Sequence, residues 1–230
     1  MTVRLRVEWP DPRLFASRDG RPVRILALSD EPDPALDSPA TREGLGHVDM
    51  IVGCGDLTPD YLEFVADAFC APLHYVRGNH DAGAAWTAGT RDGTCPLPLP
   101  DGTIVEEAGV RLVGFGGSAK YSRAGYEPTH GQMWWRVLRF AATRRPGAPL
   151  IVVTHAAPRG TNDGEDFAHR GFPAFRWLAQ RLRPPLWLHG HTTLVRRDVD
   201  SRSARIGPTL LYNCEGSTLV ELVPPGTAPA

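Results

Sequence analysis

Gly78-Asn79-His80-Asp81 follows a short apolar run, residues 73–76, which predicts a buried strand. The glycine lets the chain turn, so an amide, an imidazole and a carboxylate arrive together at the end of that strand. These groups supply the oxygen and nitrogen donors that divalent cations take in proteins. The stretch therefore predicts metal and phosphate chemistry, provided that other parts of the chain supply partners.

Four further polar stretches stand where apolar, strand-like runs end. They are Asp30 after residues 23–29, Gly55-Asp56 after 48–52, His155 after 150–153, and Gly190-His191 after 186–188. Polar residues at five strand ends are typical of a site built along one edge of a sheet. Asp56, Asn79, His155 and His191 together form a complete set of four oxygen and nitrogen ligands for one cation.

The composition is that of a globular protein. At 230 residues the chain is long enough for one domain with a sizeable core. A formal net charge of −1 gives no general attraction for nucleic acid, so we expect no nucleic-acid partner. Apolar runs stay well below the ~20 residues of a membrane span, and the first nine residues do not resemble a signal peptide. The four scattered cysteines form no CxxC pair, which favours reduced, mostly buried thiols and a cytoplasmic location.

The apolar pattern predicts strands and helices that alternate at first and are mostly strands later. The predicted strands are residues 3–7 (an edge strand), 23–29, 48–52, 73–76, 103–105, 110–115, 150–153, 186–188, 195–199, 209–213 and 218–223. Helices are predicted from Pro59, at 132–142 and at 172–182, and loops at 31–39 and 82–101. We interpret the chain as one α/β domain, residues 1–230, with two mixed sheets packed face to face, helices outside, and a frayed tail at 224–230.

The polar stretches resemble the motifs of the calcineurin-like metallophosphoesterase superfamily, which are D-x-H, GD, GNH[DE], a strand-end His, and GHxH. The matching residues occur in the same order: Asp30-Glu31-Pro32, Gly55-Asp56, Gly78-Asn79-His80-Asp81, His155 and Gly190-His191-Thr192-Thr193. The resemblance covers residues 23–222 and implies a four-layer αββα fold, as in single-domain bacterial phosphoesterases.

The resemblance also implies a metal-dependent hydrolase of phosphate monoesters or diesters. Its metal ligands would be Asp30, Asp56, Asn79, His155 and His191, and manganese, iron or zinc would suit them. A metal-bound hydroxide would attack phosphorus in line while His80 assists the leaving group. The expected partner is a small phosphorylated substrate such as a nucleotide, and no membrane partner is expected.

Two residues depart from the family pattern. Pro32 stands where the first motif has a histidine, and Thr193 stands where the last motif has one. The resemblance assigns both histidines to the ion held with Asp30 and Asp56. We therefore predict one well-formed cation site and one depleted site.

Acidic residues beside the motifs could compensate. As a replacement ligand, Asp33 is preferred to Glu31, because a prolyl loop can curl Asp33 back toward the site. Asp60 and Asp81 are both candidates for orienting His80, although Asp60 is also explained as an acid in the first turn of a helix.

The stretch at residues 158–166 resembles the substrate-side loop of some bacterial family members. Arg159 could hold a phosphate oxygen, and Asn162, Asp163 or His169 could contact the rest of a substrate. A solvated acidic turn explains each residue alone equally well. His169 is the preferred candidate, because it follows the apolar Phe167 near the expected metal edge.

The missing histidines leave a second function open. A family member that has lost ligands could persist as a scaffold or as a phosphate- or nucleotide-binding module. The intact His80 favours the hydrolase, since a scaffold has no need of a proton donor.

Overall fold

A computed structural model describes residues 2–83, 86, 97–122, 125–144, 147–194 and 198–227. The strands of these residues are β1 Val3–Glu8, β2 Val23–Ser29, β3 Met50–Gly53, β4 Leu73–Tyr75, β5 Ile104–Glu107, β6 Val110–Phe115, β7 Leu150–Thr154, β8 Leu186–His189, β9 Ser203–Ile206, β10 Thr209–Asn213 and β11 Gly216–Val223. The helices are α1 Arg13–Ala16, α2 Pro39–Leu45, α3 Pro59–Phe69, α4 His130–Thr143, α5 Pro173–Leu182 and α6 Val199–Arg202, with a 3₁₀ turn at Pro34–Asp37.

The strands form two mixed sheets. One sheet has the order β1-β11-β2-β3-β4, and the other has the order β5-β6-β7-β8-β10-β9. Strands β2, β3 and β4 run parallel, as do β6, β7, β8 and β10, so each set places its carboxyl ends at one edge. The prediction of two mixed sheets is confirmed, and β1 is an edge strand as predicted.

Alternation along β2 shows how the layers stack. Val23, Ile25 and Ala27 pack into the core between the two sheets, together with side chains of β6, β7 and β8. Leu26 and Leu28 point the other way and pack with the apolar face of α3. Because successive side chains of a strand point to opposite faces, a nearly continuous apolar strand is the expected sequence for a sheet buried on both sides.

Helices cover the outer face of each sheet. In α3, Leu62 and Val65 pack on the five-stranded sheet. In α4 and α5, Met133 and Phe175 belong to the core on the outer face of the six-stranded sheet. Helix α4 begins with a capping box, in which Thr129 and Gln132 satisfy each other's backbone amides. The architecture is therefore helix, sheet, sheet, helix, as the resemblance implied.

Two predicted segments differ in the structure. The predicted loop at 31–39 contains the 3₁₀ turn at Pro34–Asp37, and Pro39 begins α2. Both prolines occupy a first helical position, where the missing backbone N–H is not needed. Of the predicted strand at 195–199, residues 195–197 lie outside the described residues, and Val199 begins α6 after Asp198, whose side chain accepts a hydrogen bond from the Ser201 amide at 2.8 Å.

One strand had not been predicted. Strand β9 pairs antiparallel with β10 through a tight turn at residues 207–208. It is short and carries polar residues at 203 and 205, so it lacks the apolar run that marks the other strands of this sheet. Most of the predicted loop at 82–101 lies outside the described residues.

Two expectations from the composition can be compared with the structure. In the described part of the chain, every helix is too short or too polar to cross a membrane. Cys54 and Cys214 are buried free thiols as expected, whereas Cys70 is exposed. Cys95 lies outside the described residues.

Candidate metal centre

The five polar stretches lie just beyond the ends of five strands. Asp30 follows β2, Asp56 lies three residues after β3, and Asn79 lies four residues after β4. In the other sheet, His155 follows β7 and His191 lies two residues after β8. The amide of Asp30 donates to the Gly55 carbonyl at 3.1 Å, which joins the first two stretches. One edge of the paired sheets thus carries all the candidate ligands.

His155 is the central residue of this group. Its Nε2 lies 2.9 Å from Asn79 Oδ1 and 3.3 Å from Asp56 Oδ2. One ligand atom from each of Asp56, His155 and His191 lies within 4.8 Å of the other two. The four residues predicted to share one cation therefore come together in the structure.

Backbone carbonyls define which ring nitrogens can face a cation. Nδ1 of His155 lies 2.8 Å from the Cys54 carbonyl oxygen, and Nε2 of His191 lies 2.9 Å from the Ala168 carbonyl oxygen. A carbonyl only accepts hydrogen bonds, so each of these nitrogens carries the proton, and the other nitrogen of a neutral ring offers its lone pair. Such contacts commonly orient metal-binding histidines.

The donor atoms of this group fit a cation. The side-chain amide of Asn79 donates from Nδ2 to the Tyr121 hydroxyl at 3.0 Å, which directs its Oδ1 toward His155. The lone pair of His155 Nε2 then faces two oxygens, from Asn79 and Asp56, that are also acceptors. Acceptors that face one another are stable only with a shared proton or a shared cation.

The pKa values of these residues reflect their burial close to one another. Burial lowers the pKa of His155, but the hydrogen bond and the negative charge of Asp56 outweigh burial and raise this pKa to about 9. Burial raises the pKa of Asp56, but its hydrogen bond with His155 gives a net lowering. Burial, followed by the charge of His155, lowers the pKa of His191 to about 3. The group therefore favours one positive charge beside Asp56, and a divalent cation would supply it.

Three candidate ligands have unusual backbone conformations. Asp30, Asp56 and His191 have φ values of 62°, 56° and 69°, in the left-handed region that residues with a Cβ rarely adopt. Hydrogen bonds hold two of these turns, because Asp81 Oδ2 accepts from the Asp56 amide at 2.9 Å and Asp30 accepts from the His191 amide at 3.0 Å. Strain of this kind concentrates at functional sites.

Two of the three motif glycines leave space for a carboxylate. A Cβ on Gly78 would overlap Asp56 Oδ1, and a Cβ on Gly190 would overlap the Ser29 hydroxyl and Asp30 Oδ2. The glycines of the third and fifth motifs therefore leave space for the carboxylates of the second and first motifs.

His80 lies at the mouth of the group. Its side chain is 76% exposed, its Nε2 is 4.0 Å from Asp56 Oδ2, and its backbone amide donates to Asp56 Oδ1 at 2.8 Å. In the described part of the chain, neither acid proposed to orient the ring forms a hydrogen bond or an ion pair with it. Asp81 Oδ2 instead accepts from the amides of Gly78 and Asp56, and Asp60 lies in the first turn of α3.

The depleted side has a different arrangement. Asp30 is not in the group of acids and histidines whose ligand atoms converge within 4.8 Å among the described residues. Both of its carboxylate oxygens accept from the His191 amide, and burial raises its pKa. Pro32 and Thr193 are both exposed. Asp33 caps the 3₁₀ turn through the Ala35 amide at 2.9 Å and accepts from the Ser217 hydroxyl, so the structure does not bring it to the group.

The substrate-side loop is tied largely to itself. Arg159 pairs with Asp163 at 2.7 Å and with Glu165 at 3.0 Å. Asn162 donates to the Arg202 carbonyl at 2.9 Å. His169 is different, because its ring lies 5.1 Å from the His191 ring, between centroids, and its Nδ1 lies 2.9 Å from Asp166. Of the four loop candidates, His169 is in direct ring contact with a candidate ligand.

Tyr121 is a site residue that the sequence analysis missed. It contacts Asn79 from a loop beyond β6, and no local pattern marks it. Together with His80 and Glu127 it lines a cavity of about 360 Å³ beside the candidate ligands. A feature that could have drawn attention to it is the set of glycines at 114, 116 and 117, which allows this part of the chain to pass close to Arg77.

Comparison with known proteins gives one family match and several structural similarities. A family model described as calcineurin-like phosphoesterase matches residues 25–193. The structure of TT1561 from Thermus thermophilus superposes with a TM-score of 0.58 at 16% identity, covering 85% of this chain and 90% of that chain. A dimetal phosphatase from Danio rerio superposes with a TM-score of 0.49 at 11% identity, covering 85% of this chain and 88% of that chain. Zinc-complexed Vps29 from Entamoeba histolytica superposes with a TM-score of 0.42 at 12% identity, covering 90% of this chain and 80% of that chain. A search of curated proteins found no match.

Proposed function

Because the chain belongs to the calcineurin-like phosphoesterase family, we propose that it is a metal-dependent hydrolase of phosphate monoesters or diesters. The observation that carries the proposal is the convergence of Asp56, His155 and His191, whose ligand atoms lie within 4.8 Å of one another, with Asn79 Oδ1 2.9 Å from His155. These four side chains belong to loops that follow four different strands. Packing of the core does not require the four loops to bring their polar side chains together.

Asp56, Asn79, His155 and His191 would hold the cation, and their mixed oxygen and nitrogen donors suit manganese, iron or zinc. A divalent cation bound there supplies an activated water at neutral pH and neutralises charge on the phosphate. We propose one well-held cation, because Pro32 and Thr193 offer no imidazole on the other side.

The chain's own residues have distinct parts in this proposal. Cys54 and Ala168 fix the ring orientations of His155 and His191 through their carbonyls. His80, exposed at the mouth and 4.0 Å from Asp56, donates a proton to the departing oxygen. Its exposure allows it to reach a substrate that approaches from solvent.

The substrate we propose is a small phosphorylated molecule such as a nucleotide. The cavity between His80 and Tyr121 has a volume of about 360 Å³, near the lower end of the range for small-molecule sites. The net charge of −1 gives no support for a nucleic-acid substrate. The scattered cysteines support a cytoplasmic location, which we also propose.

The test combines metal analysis with phosphate esters. After chelation and dialysis, added Mn²⁺, Fe²⁺ or Zn²⁺ should restore hydrolysis of at least one member of a panel of monoesters and diesters. His80→Ala should lower kcat by about 100-fold or more with unchanged metal content. His47→Ala is the matched control, because His47 is 77% exposed and pairs with Asp49 away from the centre. Absence of turnover with all three metals would exclude the hydrolase.

A second candidate function is a scaffold or a phosphate- or nucleotide-binding module. The observation that favours it is the depleted side, where Asp30 lies outside the converging group and Pro32 replaces a ligand. That function predicts binding of metal and phosphate without turnover, and His80→Ala would then change no measured property.

A further inference from the structure

A larger cavity lies at the opposite edge of the sheets. Its volume is about 780 Å³. It is lined by the end of β1, the start of β7 and the turn that precedes β8. His155 follows the far end of β7, five residues along, so the cavity and the metal centre are about 15 Å apart. The cavity is therefore separate from the centre described above.

The lining of this cavity is strongly basic. Four arginines line it, namely Arg6, Arg144, Arg183 and Arg205, against a single carboxylate, that of Glu8. Glu8 accepts a hydrogen bond from the Gly226 amide at 3.0 Å. Among the described residues, these arginines form one ion pair, between Arg6 and Glu221 at 3.9 Å. The cavity thus holds more positive charge than its own carboxylate can balance.

Arg144 is the arginine of this lining that has a buried, unpaired nitrogen among the described residues. Its Nε is buried without a hydrogen-bond acceptor in the described part of the chain. Burial, followed by the positive charges of Arg111 and Arg181, lowers its pKa. Buried donors in folded proteins are almost always paired, so a guanidinium nitrogen without an acceptor among the described residues, surrounded by like charges, is suited to an anionic ligand.

The remaining lining is apolar and rigid. Pro149, Pro184, Pro185 and Pro208 line the cavity together with Leu150 and Leu210. Proline fixes its own backbone dihedral, so these walls change little when a ligand enters. A volume of about 780 Å³ lies within the usual range for small organic ligands. The cavity therefore has a charged part and an apolar part.

We propose that this cavity binds a small organic phosphate of nucleotide size, independently of the metal centre. The phosphate groups contact Arg144, Arg183 and Arg205, because a guanidinium matches the paired oxygens of a phosphate. The organic part lies against the proline wall. A phosphate or diphosphate fits better than a single carboxylate, which would leave most of the positive charge unbalanced.

ADP is a suitable probe, measured by titration calorimetry against the full chain. The double variant Arg144→Gln, Arg183→Gln should weaken ADP binding by at least about tenfold, since each charge-assisted contact is individually strong. Its hydrolysis of a chromogenic phosphate ester should be unchanged, because both arginines are remote from the centre. A control, matched in charge to the single variant Arg205→Gln, is Arg139→Gln, which removes one charge from the exposed face of α4, where the guanidinium stacks over Trp135. It should bind ADP like the parent.

Three outcomes would overturn the proposal. They are no binding of ADP at millimolar concentration, equal binding by the double variant and the parent, and equal binding of ADP and uncharged adenosine. ADP bound only at the metal centre would give the second outcome, since the arginine changes would not affect it. If the double variant unfolds, Arg205→Gln provides the same test from an exposed position on β9.

Discussion

The two sides of the candidate metal centre share one sheet edge but differ in the number of side chains that could bind a cation. On the intact side, each of the four donors has a second contact, which is Cys54 for His155, Ala168 for His191, Tyr121 for Asn79 and Asp81 for the backbone of Asp56. On the depleted side, the oxygens of Asp30 accept from the His191 amide. Both carboxylates, Asp30 and Asp56, are thus supported by backbone amides, and the two sides differ because Pro32 and Thr193 offer no imidazole.

The largest expected effect comes from removing the central ligand of the intact side. His155→Ala should lower both metal affinity and phosphoester hydrolysis by more than about 100-fold, because loss of a supporting contact alone typically costs 10- to 100-fold. Metal content after dialysis and kcat/KM on the best ester of the panel are the measurements.

Folding must be controlled in this experiment, because His155 is fully buried. His191→Ala removes a second ligand from a different loop and should give the same loss. Circular dichroism and Tm report whether each variant is folded. A folded His155→Ala protein that keeps both its metal and its activity would remove the basis of the comparison between the two sides.

A smaller effect is expected from rebuilding the depleted side. The double variant Pro32→His, Thr193→His restores the two imidazoles that the family pattern has and this chain lacks. Metal content should rise from about one to about two ions per chain, because a second set of nitrogen and oxygen donors then exists. Metal analysis by mass spectrometry measures this change directly.

The control for the rebuilt side is Pro32→Ala, Thr193→Ala, which removes the prolyl ring and the hydroxyl without adding imidazoles. It should stay at about one ion per chain. Two ions per chain in the parent protein would show that the depleted side binds metal without these histidines. Each side would then hold one cation, and the proposed difference between them would be wrong.

The intact side was largely predictable from the sequence. Asp56, Asn79, His155 and His191 each follow an apolar run, and parallel strands place their carboxyl ends at one edge. The layers were predictable for a similar reason, since a nearly continuous apolar strand such as β2 must be covered on both faces.

Other features were not predictable, because they depend on contacts between distant parts of the chain. The contact of Asp33 with Ser217 joins residues 184 positions apart. The hydrogen bond from Asn79 to Tyr121 spans 42 positions. Helix α2 was missed for a local reason, since Pro39 was interpreted as part of a loop although it suits the first turn of a helix.

The smallest expected effect concerns Asp33, the acid that the sequence suggested as a replacement ligand. Asp33→Ala should lower the free energy of unfolding by about 1 kcal/mol, because its side chain caps the 3₁₀ turn and accepts from the Ser217 hydroxyl. Metal content and kcat should not change. Urea denaturation measures the stability, and Ser217→Ala is the matched variant that removes the hydroxyl while leaving the cap.

If Asp33 is structural, the two changes are coupled in a double-mutant cycle and neither affects the metal. If Asp33→Ala instead releases metal while Ser217→Ala does not, Asp33 is a ligand, and the side that we describe as depleted has been rebuilt by an acid.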